Sequence, residues 1–171
     1  KKALPVDIAV CTAAITDFKP DKYKKEKIKK NLSNLNLKKN IDILEFLSKN
    51  NSYRPKLVIG FAAETNNIIK YAREKRNRKY CDWIVANDIS DESIGFESDY
   101  NSVAIIDKNG NTKQVDRSLK YEVANLILDE VLNLFDWAII HLLLQDCILC
   151  VSVDNWPLKF GCATISPDVR N

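Results

Sequence analysis

A chain of 171 residues with a formal net charge of +3, 46% apolar and 29% charged, has the composition of a soluble globular protein. The apolar and charged fractions are ordinary for that class, and the length supports one domain with a full core. Five cysteines at 11, 81, 147, 150 and 162 form no pairing pattern, so a reducing cytoplasm is the expected compartment.

Charge is unevenly spread. Almost all Lys and Arg precede residue 121, and none lies between Tyr121 and Leu158. The first part is basic and the last faintly acidic. Glycine occurs only singly, at 60, 95, 110 and 161, and methionine is absent. These residues hold no glycine-rich phosphate loop of the dinucleotide-binding kind, so either phosphate is gripped another way or the glycine-rich part lies upstream of a chain that reads as incomplete.

Val6 to Cys11 is a short β-branched run and predicts a buried strand. Thr12 to Asp17 is small and polar, which suits Ala13, Ala14 and Asp17 to line a ligand at the strand's carboxyl end. Phe18-Lys19-Pro20 predicts the end of that turn. The segment from Asp21 to Lys30 carries six lysines and almost nothing to bury. A solvated loop explains it, and so does a cationic flap closing over polyphosphate. Leu32 to Leu37 fits a short strand. Ile41 begins a short helix ending near Asn51, with Asn40 or Asp42 as cap.

Pro55 to Phe61 predicts the central strand. Ala62 and Ala63 then lead into a basic helix through Lys79, capped by Thr65 or Asn66. A strand end, small residues and a helix start, in that order, are consistent with a nucleotide pocket. Lys75 and Lys79 lie four residues apart, on one helical face. Cys81 to Asp88 is a further strand, and Ser90 to Tyr100 an acidic loop. Val103–Asp107 and Lys113–Asp116 flank Asn109-Gly110, a hairpin signature. Ser118 would cap a last helix with an apolar face from Tyr121 to Leu132. Strands alternate with helices first and a hairpin follows. The predicted fold is α/β: a Rossmann-like, mostly parallel sheet with flanking helices and an antiparallel edge hairpin.

Residues 136–171 change character. Trp137 to Val153 is nearly continuous apolar sequence containing His141, Gln145 and Asp146, too short for a spanning helix of ~20 residues. An apolar tail divergent from the rest is expected, with no membrane role. Cys147 and Cys150 form one CxxC without a second pair or a suitably spaced His. Two thiols on an apolar segment suffice to explain them, and no metal site is expected. The basic stretches would also suit a nucleic-acid-binding module, but aromatic residues are not interleaved as a stacking platform needs. No nucleic-acid partner is expected.

Four blocks in order carry a resemblance: VDIAVCTAAITDFKP, KIKK at 27–30, KLVIGFAAETNNIIKYAREKRNRK, and CDWIVANDIS followed by GFESDYNSVAIID. Residues 1–135 resemble the C-terminal, phosphopantothenate–cysteine ligase domain of the bacterial phosphopantothenoylcysteine synthetase/decarboxylase family. The resemblance implies a cytoplasmic ligase of coenzyme A biosynthesis. The carboxylate of 4'-phosphopantothenate is activated by CTP, with Mg²⁺, as an acyl-cytidylate, and the amine of L-cysteine then forms the amide. It further implies a homodimer and a fused or associated flavin-dependent decarboxylase domain.

Carried over by position, Asp17 matches the acidic residue of the CTP site and Lys27 the catalytic flap lysine that meets the phosphates. Ile41, Asp42, Ile43 and Leu44 match the nucleotide-contacting stretch, with Ile41 standing where the family has proline. Phe61 matches the aromatic that packs on the nucleotide, and Lys75 and Lys79 the helix lysines. Ala13 and Ala14 would touch substrate. The family's glycine-rich first βα unit and its acyl-nucleotide asparagine have no counterpart in these residues, so little or no ligase activity is expected of them alone.

Overall fold

The computed structural model describes residues 4–22, 34–49, 52, 54–90, 98–135 and 148–151, the last four by backbone only. Eight strands and three helices are defined there. They are β1 (Ile8–Cys11), β2 (Phe18–Pro20), β3 (Leu37–Lys39), α1 (Ile43–Ser48), β4 (Leu57–Glu64), α2 (Ile68–Lys79), β5 (Trp83–Asp88), β6 (Tyr100–Ile106), β7 (Thr112–Leu119), α3 (Lys120–Leu134) and β8 (Ile148–Val151).

Six strands form one sheet in the order β7-β6-β5-β4-β1-β8. β1 runs parallel to both β4 and β8, and β4 runs parallel to β5. The β6–β7 hairpin closes one edge antiparallel to β5. The α/β sheet and its edge hairpin thus match the sequence expectation, turning at Asn109-Gly110, where Gly110 has φ +87°. β8 lies within the segment expected as an apolar tail. The rest of 136–171, including His141 and Cys147, lies outside the described residues. Among the described residues no helix is long and apolar enough to cross a membrane.

Strand alternation divides the core into two layers. Leu57 and Ile59 of β4 join Ile8, Trp83, Val85, Val103 and Ile105 under α3, which contributes Val123, Ile127 and Val131. Val58 and Ala62 face the other way, with Ala9, Ile84, Ala86 and Ala104, beneath Leu47 of α1 and Ala72 of α2. Cys81 is buried in that second layer, and burial pushes its thiol up to about 11.

Several boundaries differ from expectation. β4 runs three residues further, through Ala62, Ala63 and Glu64, because these pair with Ala86, Asn87 and Asp88 and satisfy the ladder. α2 accordingly starts at Ile68. Its N-cap is Asn67 in the left-handed region (φ 43°), with no side-chain cap bond, rather than Thr65 or Asn66. Asn is among the few non-glycine residues that tolerate that conformation. β7 continues to Leu119, so Ser118 does not cap α3. Its hydroxyl donates to the Asp116 carbonyl (2.9 Å), and the Leu119 amide donates to Glu122 (3.0 Å). Phe18–Pro20 is a strand rather than the end of a turn. It pairs antiparallel with β3, which comprises Leu37 to Lys39 rather than the expected Leu32 to Leu37. Every residue of this two-stranded ribbon is exposed, so no burial pattern announced it.

Gly60 carries a packing role. A Cβ there would meet Leu44 Cδ2 at 2.5 Å and Ile84 Cδ1 at 3.2 Å, so α1 sits directly on the strand through Leu44. Gly60→Ala is expected to cost about 1–2 kcal/mol, because Leu44 must shift while Ile84 is fully enclosed. Thermal unfolding measures this. An unchanged melting temperature would show that α1 can move without loss.

Candidate functional site

Three of the expected site residues, Asp42, Lys75 and Lys79, lie together at the corner where α1 meets the C-terminal half of α2. Asp42 is the N-cap of α1, accepting the Glu45 amide at 2.8 Å through Oδ1. Its other oxygen takes the Lys79 ammonium in a short hydrogen-bonded ion pair. Glu45 lies 3.8 Å from the same ammonium and 2.6 Å from Lys49. The reach from Asp42 to Lys79 spans 37 positions of sequence. An aspartate cap thus fixes the last turn of α2 as well as the first turn of α1.

The electrostatics follow. Burial pushes the Asp42 carboxyl up, but the Glu45 amide, the Lys79 hydrogen bond and the Lys79 and Lys75 charges outweigh it. The carboxyl ends below its ordinary value. Lys75, one turn before Lys79 on the same face, is half-buried. Burial lowers its pKa. Glu64 and Asp42 oppose that, while Arg78 and Lys79 reinforce it, and the net shift is downward. Among the described residues no carboxylate comes within ion-pair distance of Lys75, whereas Lys79 has two.

Asp17 is joined to the chain entering α1 by its backbone, at the base of the ribbon. It lies exposed just before β2, and its carbonyl accepts the Asn40 amide at 2.7 Å. The Asn40 side chain donates to the Thr16 carbonyl at 3.2 Å. Those two bonds tie the end of the β1 turn to the start of the 41–44 stretch. Ile41 is 70% exposed, apolar surface with no core role. Ile43 and Leu44 are half-buried against the layer beneath α1. Ala13 is half-buried and Ala14 exposed at the carboxyl end of β1. Lys27 lies outside the described residues.

Phe61 is not part of the corner. Its half-buried ring packs with the layer under α3, on the opposite sheet face from Leu44, Lys75 and Lys79. A ligand touching both must pass over the carboxyl ends of β1 and β4. Sequence reasoning missed the acidic partners Glu45 and Glu64. The Asp42-x-x-Glu45 spacing is itself a capping signal and could have found the first. A shallow cleft between the start of α2 and β5–β7 is lined by Ile68, Ala86, Asp88, Ser102, Gln114 and Asp116, and contains none of the expected residues. Among the described residues no three His, Cys, Asp or Glu side chains gather as a metal site.

The Escherichia coli (strain K12) coenzyme A biosynthesis bifunctional protein CoaBC is 36% identical over 135 residues, 76% of this chain and 33% of that protein. The Bacillus subtilis (strain 168) protein of the same name is 39% identical over 127 residues, 73% of this chain and 31% of that one. The chain therefore spans about a third of the length of these relatives. The crystal structure of the C-terminal domain of CoaBC superposes with a TM-score of 0.56 at 32% identity, covering 74% of this chain and 53% of that one. Residues 1–135 match the DNA/pantothenate metabolism flavoprotein C-terminal domain, and the chain belongs to that family.

Proposed function

We propose that this chain is the nucleotide-handling part of a phosphopantothenate–cysteine ligase that uses CTP. The observation that carries the proposal is Lys75, a half-buried cation with no ion-pair partner among the described residues, beside the Asp42–Lys79 pair. Keeping an unpaired ammonium half out of water costs free energy, which a ligand phosphate would return. The family membership supplies the reaction class.

In the proposed reaction the 4'-phosphopantothenate carboxylate attacks the α-phosphorus of CTP. The bond to the β-phosphate breaks and pyrophosphate leaves. The cysteine amine then attacks the acyl carbon, CMP departs with the C–O bonding pair, and the amine's proton passes to solvent. A carboxylate is a poor acyl donor, and the cytidylate supplies its leaving group. The protein's part is to position the reactants and neutralise negative charge. Lys75 and Lys79 would face the phosphates. Asp17 and residues 41–44 would border the nucleoside, and Ala13 and Ala14 would leave room for the acyl group. Lys27 would bring a further cation. Mg²⁺ would arrive with the triphosphate, whose oxygens supply its ligands in place of a protein cage. A homodimer, and a flavin-dependent decarboxylase domain in the bifunctional protein, belong to the same proposal.

Calorimetric titration of the chain with CTP, ATP and GTP in the presence of Mg²⁺ tests it. CTP is expected to bind in preference to the other two. Failure of all three to bind would overturn the proposal.

A further inference from the structure

Two asparagine oxygens lie idle inside the fold. Asn87 Oδ1, near the carboxyl end of β5, and Asn101 Oδ1, near the start of β6, are closed off from solvent and accept no hydrogen bond from any described residue. Asn101 is 6% exposed. The two strands are antiparallel, with Asn87 opposite Val103. Asn101 is therefore the diagonal neighbour on the same face, about 7–8 Å away between Cα atoms. By alternation Asn87 follows Trp83 and Val85, and Asn101 precedes Val103 and Ile105, whose side chains lie in the layer under α3. The register shift between Asn101 and Val103 adds its extra residue on β7, and Ser102 between them lines the cleft on the other face with Ala86 and Ala104. Phe61 enters that layer from β4, and Ala63, next along on its face, pairs with Asn87. The idle oxygens thus lie at the ligand-facing end of the sheet, on the Phe61 side and away from the lysine corner.

An unmet buried acceptor carries an uncompensated desolvation cost, which a donor would relieve. The other two unpartnered buried atoms among the described residues, Ser48 Oγ and Arg76 Nε, belong to α1 and α2 on the opposite side. Two together on one face form a pattern, and a primary amine fits it. A primary amine has two N–H donors and a lone pair. Two neutral carbonyl oxygens can take both N–H groups and leave the lone pair unengaged. A carboxylate in their place would hold the group as ammonium and remove its nucleophilicity. Asp88, the nearest carboxylate in sequence, has its Oδ1 occupied by the Ser90 amide (2.9 Å) and hydroxyl (2.6 Å), and in a regular strand its side chain leaves β5 on the other face.

Resting on the ligase proposal, we infer that Asn87 and Asn101 form the subsite that holds the neutral amine of the amino-acid substrate.

The test is calorimetric titration of the full chain and of Asn87→Leu and Asn101→Leu with L-cysteine, with and without saturating CTP. The amine-free analogue 3-mercaptopropionic acid is titrated in parallel. Each leucine variant is expected to weaken cysteine binding about tenfold, the loss of one hydrogen bond. CTP affinity should stay unchanged, and so should the weaker binding of the analogue. The melting temperature should hold or rise, because an idle buried polar atom has been removed; an asparagine needed only for structure would instead lower it. If a leucine variant does not fold, the alanine variant at the same position gives the same reading. Cysteine binding equal to wild type in the variants, or no cysteine binding by the wild type, would overturn the subsite. Loss of CTP binding by the wild type would overturn the ligase proposal separately, and the cysteine comparison without nucleotide would still decide the subsite.

Discussion

Asp82→Ala is expected to lower the free energy of unfolding by about 3 kcal/mol. The Asp82 carboxylate receives Arg54 Nη2 at 3.0 and 3.1 Å and the Val58 amide at 2.8 Å. Arg54 also donates to the carbonyls of Ser48 (2.9 Å) and Pro55 (2.8 Å). One carboxylate therefore joins the end of α1, the entry to β4 and the entry to β5. Removing it strands a guanidinium and leaves the amide of fully buried Val58 unsatisfied. The side chains keep 26% and 17% exposure, so water recovers part of the loss, and the figure sits at the low end for breaking a buried pair. Urea denaturation should show a lower midpoint at unchanged slope. Asp82→Asn, which keeps one acceptor, should cost about half as much. A loss below about 1 kcal/mol for the alanine variant would mean that solvent already satisfies the cluster.

Lys75→Glu is expected to weaken CTP binding about 100-fold, and Lys75→Gln about tenfold. The neutral variant loses a charge-assisted contact, and the acidic one adds repulsion next to Asp42 and Glu64. Titration calorimetry reads both. Equal affinity in Lys75→Gln and wild type would remove Lys75 from the site. The pH dependence has a definite sign. Burial lowers the Lys75 pKa, so in the free protein the ammonium is lost at lower pH than for an ordinary lysine. Phosphate binds the protonated form, so affinity should fall as pH rises through that lowered value, and binding in that range should take up a proton. The same shift means that the empty fold gains stability relative to the unfolded chain as pH rises through it. Lys75→Arg should keep binding and abolish that pH dependence.

Much of the sheet was legible because its strands are short runs of Ile, Val and Ala, bounded by turn residues. The Asn-Gly hairpin was equally plain. The ribbon was not: Phe18, Pro20 and Leu37 bury nothing, and a strand held by ladder bonds alone has no apolar period. The extension of β4 was hidden because two alanines suit a turn and a crowded strand equally well. Of the expected site, Asp42 and the two lysines lie together at one corner. Their pairing across 37 positions depends on how α1 is set down on Gly60, which no local pattern encodes. Phe61 shows the converse limit. Its alternation with Gly60 was visible, but which helix covers which face is a matter of chain path.

The double use of Asp42 has a thermodynamic corollary. Lys79 arrives at any encounter with its neutralising anion already attached, in the form of Asp42 with Glu45 behind it. In the proposed complex a phosphate must displace that internal counterion, whereas at Lys75 it displaces only salt and water. The salt dependence of nucleotide binding should therefore count Lys75 almost fully and Lys79 hardly at all. Asp42→Asn should steepen that dependence, and it should loosen the first turn of α1 in the same stroke.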